Sequence, residues 1–279
     1  MPPFGSGRFP RWEPWQPPHN NFLSFAVGMS DRGTLESPVV PSPIEATLVE
    51  RSPIAPGVLD LRFTMRSPSR LDFRAGQFVT LHVPAVNKIG FLRRSYSIAS
   101  PSFLGEQLRL IVRQILGGQA SDYLMQLSLG DTITMAGPFG VFTLGESHPG
   151  DVVFGTTGTG IATIMPMLED LARAPERVSG KRFVHWGLRR EEDIFARDEL
   201  QDLCRRAGAE LCIHLSAAGP EWQGRHGRIN ASVLEYVPRL DAPVFYLVGN
   251  GAMISELKSA LVEHGLDRKH QIRTEAFFD

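Results

Sequence analysis

The sequence predicts two domains: a small antiparallel β-barrel, then an α/β domain built on a parallel sheet. Three observations predict it. From Ile44 to about Leu144 the chain consists of short strand-like runs punctuated by Gly and Pro. After Pro149 it switches to apolar runs of strand length alternating with segments of helical period. At 279 residues and 42% hydrophobic content, it is long enough to bury two cores.

Six runs make the barrel: IEATLVERS, VLDLRFTM, QFVTLHVP, RSYSIAS, LRLIVRQI and DTITMAGP. Alternating apolar and polar residues mark strands with one buried face. QASDYLMQL (119–127) interrupts them as a short helix that Ser121 is expected to cap. In the second domain DVVFG is a buried strand, and IATIMPMLEDLARA carries a helical stripe at Ile164, Met167, Leu168 and Leu171. With Thr163 as its cap, Pro166 falls in the first turn, where a missing N–H breaks no internal bond. The alternation continues: strand KRFVHWGL, helix RDELQDLCRRAG, strand AELCIHLS, helix NASVLEYV capped by Asn230, strand PVFYLVG, helix AMISELKSALVEHG closed by Gly265, and strand QIRTEAFF. Strands alternating with helices imply a parallel sheet covered on both faces.

Residues 1–43 are rich in Pro, Gly and polar residues without either period, and read as a flexible arm in which Trp12 and Trp15 could dock on a partner. NFLSFAVGM (21–29) lacks a convincing cleavage site and is not read as a signal peptide. No apolar run reaches the ~18 residues a membrane helix needs. A net charge of −1 argues against nucleic acid as the main partner. Two cysteines, Cys204 and Cys212, suit a reducing cytoplasm and read as core fillers. They fall short of the four ligands of a cysteine-held iron–sulfur cluster. His185, His214, His226 and His270 show no metal-ligand spacing, so no metal site is expected. Ser232 has no nucleophile context, and GLRREEDIFARDEL (187–200) reads as a solvated helix start.

Two stretches suit phosphate. FGTTGTGIA (154–162) is a Gly-rich turn between strand and helix, where backbone N–H groups and a helix N-terminus favour an anion. GGQASDYL (117–124) puts two glycines before a helix start, as either a second nest or a capped hairpin turn. In RSYS (94–97) strand parity places Arg94 and Tyr96 on one side and Ser95 and Ser97 on the other, and Arg94 offers a planar fork to a phosphate.

Taken in order, these motifs resemble the ferredoxin–NADP reductase superfamily of flavoproteins. FRAGQFVTL, RSYS, GGQASDYL, GPFGVF, GTGIA, YLVGNGAM and EAFF follow the family's sequence of motifs over roughly residues 44–278. The resemblance implies an FAD-binding β-barrel domain over 44–146, then a Rossmann-like NAD(P)-binding α/β domain over 150–279. It implies FAD as cofactor, with NADH or NADPH as hydride donor. Ser97, beside the flavin, and Glu275 would be catalytic. Arg94, Ser95, Tyr96, Ser97, Val112, Gly117, Gly118 and Ser121 would hold FAD. Thr157, Gly158, Thr159, Gly160, Gly249 and Asn250 would border the nicotinamide nucleotide. Phe277 or Phe278 would lie against the flavin. The implied activity is electron transfer from NAD(P)H to a separate acceptor: a ferredoxin, a flavodoxin or an oxygenase component. Alternatives are direct reduction of flavins or quinones, and a non-catalytic electron-transfer subunit.

Three positions depart from the family pattern. Val248 stands where cysteine is usual. Thr163 replaces a proline. Ser216-Ala217-Ala218 lacks the arginine that clasps an NADP 2′-phosphate, which leans toward NADH unless Arg189, Arg190 or Arg225 substitutes.

Overall fold

The computed structural model describes residues 43–85 and 90–277, and residues 41–279 form one compact unit. The expected arm, apart from Pro43, lies outside the described residues.

Six strands build the first domain: β1 (Ile44–Ala55), β2 (Val58–Ser67), β3 (Phe78–Pro84), β4 (Phe91–Ser97), β5 (Gln107–Arg113) and β6 (Thr132–Phe139). They pair antiparallel in the order β4-β3-β6-β1-β2-β5. The sheet curls until its edges meet, where the Ala99 N–H donates to the Arg109 carbonyl at 2.9 Å. Alternation explains the core: Val79, Leu81 and Val83 point inward from β3, as Ile44, Ala46 and Leu48 do from β1. β5 is buried on both faces. Leu108, Leu110 and Val112 fill the barrel, while Ile111 turns outward into a cluster shared with the second domain.

α1 (Gln119–Gln126) begins with Gly118, not Ser121, at its cap. The Ser121 hydroxyl instead donates back across the turn to the Ile115 and Gly118 carbonyls and accepts from the Ile115 N–H. It is buried and pins the Gly-Gly turn.

The second domain is a six-stranded parallel sheet in the order β10-β9-β8-β7-β11-β12. Its strands are β7 (Val152–Thr157), β8 (Arg182–Leu188), β9 (Ala209–Leu215), β10 (Arg225–His226), β11 (Val244–Asn250) and β12 (Ile272–Phe277). α2 (Ile161–Arg173) and α3 (Arg197–Arg206) pack in one apolar cluster, and α4 (Ile229–Tyr236) and α5 (Gly251–Glu263) in another. Central strands covered on both sides read as continuous apolar runs, as β7 and β11 do.

Gly265 ends α5 as expected. At φ +89° it donates to the Val262 carbonyl while Leu266 donates to that of Leu261, the αL closure that favours glycine. Two other helix ends differ from expectation. Gly158–Gly160 forms a 3₁₀ turn that runs directly into α2, so Gly160 is the cap, Thr163 is the third helical residue, and Pro166 sits inside the helix. Arg228, not Asn230, precedes α4, and the Asn230 amide donates to Glu256 at 2.9 Å.

Cys204 lies in the core as expected, whereas Cys212 is half-buried on an outer cleft beside Trp222 and Arg225. No group of three or more metal-ligating side chains occurs among the described residues, and no described helix is long and apolar enough to cross a membrane.

His185 and His214 meet inside the sheet domain, with Nδ1 of one 3.2 Å from Nε2 of the other. Burial, first, and then neighbouring positive charge push His185 down to about 3 and His214 down to about 4. The unfolded chain takes up protons near the ordinary value of 6.5, while the folded chain resists until far lower pH. The stability contributed is therefore present above pH 6.5 and lost as pH falls below it. The expected loss is about 1–2 kcal/mol per histidine by pH 5.5. Thermal melts from pH 7 to 5 should show a shallower fall for His185→Phe/His214→Leu than for the parent; equal slopes would remove the pair as the cause.

Candidate active site

The parallel sheet reverses its direction of growth between β7 and β11, the point where α/β sheets bind ligands beyond their strand ends. A cleft of about 400 Å³ opens there. Thr157 and Gly158 enter from β7 and Asn250 from β11. Arg189 and Ser216 lie at the ends of β8 and β9, and Arg228 at the start of α4. The first turns of α4 and α5 also line the cleft, so their unpaired N–H groups and positive helix ends add to the arginines. The barrel contributes Arg113.

The strand ends are packed too closely for side chains. The Asn250 N–H donates to Thr157 Oγ1 at 2.9 Å, and Asn250 Oδ1 accepts from the Met253 N–H at 3.0 Å, capping α5. Gly249 has φ +120°, and a Cβ there would fall 2.5 Å from Thr157 Oγ1. A Cβ on Gly160 would fall 2.6 Å from Thr156 Oγ1. Thr157, Gly158, Thr159, Gly160, Gly249 and Asn250 are therefore brought together. Val248 is fully buried in the cluster joining the domains.

The flavin-type residues lie on the barrel. Arg94 pairs with Leu81 and Tyr96 with Val79, on the inward face of β4, while Ser95 and Ser97 pair with Thr80 and Phe78 on the other. Ser95 and Thr80 hydroxyls lie 3.2 Å apart. Arg94 is exposed, with one N–H on the Arg93 carbonyl at 2.8 Å. Tyr96, Leu92, Tyr123 and Met125 form a half-buried rim on the barrel core. Burial, partly offset by Arg94, pushes the Tyr96 phenol up to about 12, so it stays neutral. Val112 has its side chain in the barrel core, because on a strand buried on both faces parity sends it inward. Its neighbour Arg113 reaches the cleft instead.

These residues fit FAD. The first turn of α1 leaves N–H groups free, Gly117 has open space on its Cβ side at φ +75°, and Gly118 admits no Cβ because Ile115 O and Ser121 Oγ would lie at 2.9 Å. An anion-binding turn, an exposed guanidinium and a half-buried aromatic rim suit a pyrophosphate joined to a flat ring.

Glu275 lies beside Val248 in the β11–β12 register, and Phe277 beside Asn250. Burial pushes the Glu275 carboxyl up to about 7. Phe277 packs on the cluster shared by both domains; Phe278 lies outside the described residues. Sequence reasoning missed Arg113 and Arg228. Arg113 was signalled by standing just ahead of the Gly-Gly turn, and Arg228 by its place between a strand and a helix.

Two family models match this arrangement: the oxidoreductase FAD-binding domain over residues 45–144 and the oxidoreductase NAD-binding domain over residues 156–259. Fold and site together define a flavin- and nicotinamide-nucleotide-binding oxidoreductase. Ferredoxin--NADP reductase B of Sorangium cellulosum is 36% identical over 82% of this chain and 95% of its own length. The chain belongs to the ferredoxin–NADP reductase superfamily, and is an NAD(P)H-dependent flavoprotein reductase that uses FAD and hands electrons to a separate acceptor. The reductase component DmpP of phenol 2-monooxygenase from Pseudomonas sp. is 28% identical over 79% of this chain, which spans only 61% of that relative. The crystal structure of the Amycolatopsis cytochrome P450 reductase GcoB superposes with a TM-score of 0.73 at 28% identity, over 84% of this chain and 69% of that one.

Proposed function

We propose that this chain carries electrons from NADPH, through FAD on the barrel, to a one-electron protein carrier in the cytoplasm: a ferredoxin, a flavodoxin or an oxygenase component. The observation that carries this reading is Arg113, a barrel residue that lines the cleft at the sheet's strand ends and sits 3.8 Å from where a Gly158 Cβ would be. It supports a single site because it ties the barrel strand that leads to the Gly-Gly turn to the Gly158 turn of the sheet domain. Residues 44–146 are the FAD domain and 150–279 the nucleotide domain in this proposal.

When bound, FAD supplies the step between a two-electron donor and one-electron acceptors. The protein's own task is positioning. Arg94 and the first turn of α1, with Gly117, Gly118 and Ser121 shaping the turn, hold the pyrophosphate. Tyr96 supports the ring, and the Ser97 hydroxyl donates a hydrogen bond at its edge. Thr157, Gly158, Thr159, Gly160, Gly249 and Asn250 present backbone to the nicotinamide nucleotide. Phe277 shields the site, and Glu275, half protonated near neutrality, holds or releases a proton on its carboxylate.

The geometry favours NADPH over NADH. Arg189 and Arg228 line the cleft beside Ser216, whereas Arg225 lines a different cleft. Ferredoxin--NADP reductase B points the same way. Anaerobic titration with each nucleotide, followed by flavin absorbance, tests both statements. Bleaching by NADPH at lower concentration than NADH is expected. A flavin that neither nucleotide bleaches ends the reductase reading, and one bleached equally by both ends the NADPH preference.

A further inference from the structure

Among the described residues, one ion cluster crosses between the domains. Arg109, on β5, is 8% exposed. Its Nε and Nη2 hold Asp60 of β2 at 2.9 and 2.8 Å, and its Nη1 and Nη2 hold both oxygens of Glu199 on α3 at 2.5 and 3.0 Å. We infer that Arg109 is a positioning residue: anchored in the barrel by Asp60, it grips Glu199 and so sets where the Gly158–Gly160 turn meets the flavin end of the barrel. This inference rests on the hydride-transfer reading above.

Arg109 touches both sides of that meeting. Its main chain accepts from Ala99 and donates to the Ser100 hydroxyl at 3.3 Å, closing the barrel directly after the end of β4 that carries Ser97. Its side chain reaches the first turn of α3. Just before α3, Phe195 packs edge-on against Trp186 with ring centres 5.1 Å apart. Trp186 Nε1 in turn donates to the Gly158 carbonyl at 2.9 Å. At its far end α3 is tied to α2, where Arg206 holds both oxygens of Glu169. A continuous set of rigid contacts thus runs from the end of β4 to the Gly-rich turn.

Apolar packing between the domains, from Ala99, Ile111 and Phe142 to α2, supplies attraction, and the Ser102 hydroxyl adds one hydrogen bond to Asp170 of α2 at 3.0 Å. A two-pronged guanidinium–carboxylate pair fixes distance and angle. The Arg109–Asp60 half is buried, whereas the Glu199 side chain is 41% exposed, so solvent screening keeps the pair's net stability small and specifying geometry is its better-attested use. Hydride transfer is sensitive to displacements of about 1 Å, which can cost about a hundredfold in rate.

Glu199→Gln tests this, because it keeps the side chain's size and removes its charge. The saturated rate of flavin reduction by NADPH is expected to fall by about three- to tenfold. Nucleotide affinity, FAD content, melting temperature and reduction by dithionite should stay at parental values. Amide exchange in the FAD-free protein should quicken by about tenfold at residues 99–100 and the start of α3. Glu199→Asp, which retains the charge, should recover part of the rate. Parental rate and exchange in Glu199→Gln overturn the inference and leave the reductase reading intact. A slower rate that tracks lost FAD or lowered melting in both variants makes the pair structural and also overturns it. A parent protein that neither nucleotide reduces sinks the reductase reading and the inference with it.

Discussion

Arg94→Ala is expected to weaken FAD binding about 10- to 100-fold while leaving the barrel folded. A charge-assisted hydrogen bond to phosphate contributes about 1.5–3 kcal/mol, and each 1.4 kcal/mol is about tenfold in affinity. The barrel does not need the side chain, whose one hydrogen bond among the described residues goes to the adjacent Arg93 carbonyl. Exposed substitutions away from special features move stability by less than about 0.5 kcal/mol. Arg94→Lys should fall between parent and alanine, since a point charge keeps the attraction but not the fork. FAD content after dialysis, and titration of the FAD-free protein with FAD, give the answer. Full retention in Arg94→Ala would remove Arg94 from the pyrophosphate site.

The elements of this chain were legible because most of their faces are unambiguous. β3 and the first half of β1, Ile44 to Leu48, alternate, and α2 carries the Ile164–Met167–Leu168–Leu171 stripe that the sequence shows. Three helix starts were misread for a common reason. Ser121, Thr163 and Asn230 have cap-forming side chains, but here the chain enters each helix through main-chain geometry: Gly118, a 3₁₀ turn through Gly160, and an extended Arg228. That the Val112 side chain turns inward is not legible, because a strand buried on both faces has no polar beat to show which residues do so. Arg225 and Arg228 stand three positions apart yet line different clefts, a matter of loop path that composition does not encode. The Asp60–Arg109–Glu199 cluster was invisible for a stronger reason. Its members are 49 and 90 positions apart in sequence, and Arg109 sits in an apolar run where a charge is normally excluded.

Gly249→Ala is expected to abolish reduction by NADPH, by more than about a hundredfold, in a protein that still binds FAD. The position combines φ +120° with a Cβ site 2.5 Å from Thr157 Oγ1, 2.9 Å from its carbonyl oxygen and 3.1 Å from its nitrogen. Two of those three atoms are main chain, so no rotamer change relieves the clash. The strand ends would have to part. That breaks the Asn250 N–H bond to Thr157 Oγ1 and drags Asn250 away from its cap on α5. The conformational strain alone costs about 1–3 kcal/mol, and the overpacking adds a similar amount. The damage stays in the sheet domain, while Arg94, the Gly-Gly turn and Tyr96 belong to the barrel. The variant should therefore purify yellow, bleach with dithionite and fail to bleach with NADPH. Gly251→Ala is the control two residues away: no atom lies within 4 Å of its Cβ position, and it is the first residue of α5, where alanine favours the helix. It should reduce at the parental rate. If Gly249→Ala does the same, the junction of Thr157, Gly249 and Asn250 is not where the nicotinamide nucleotide is positioned.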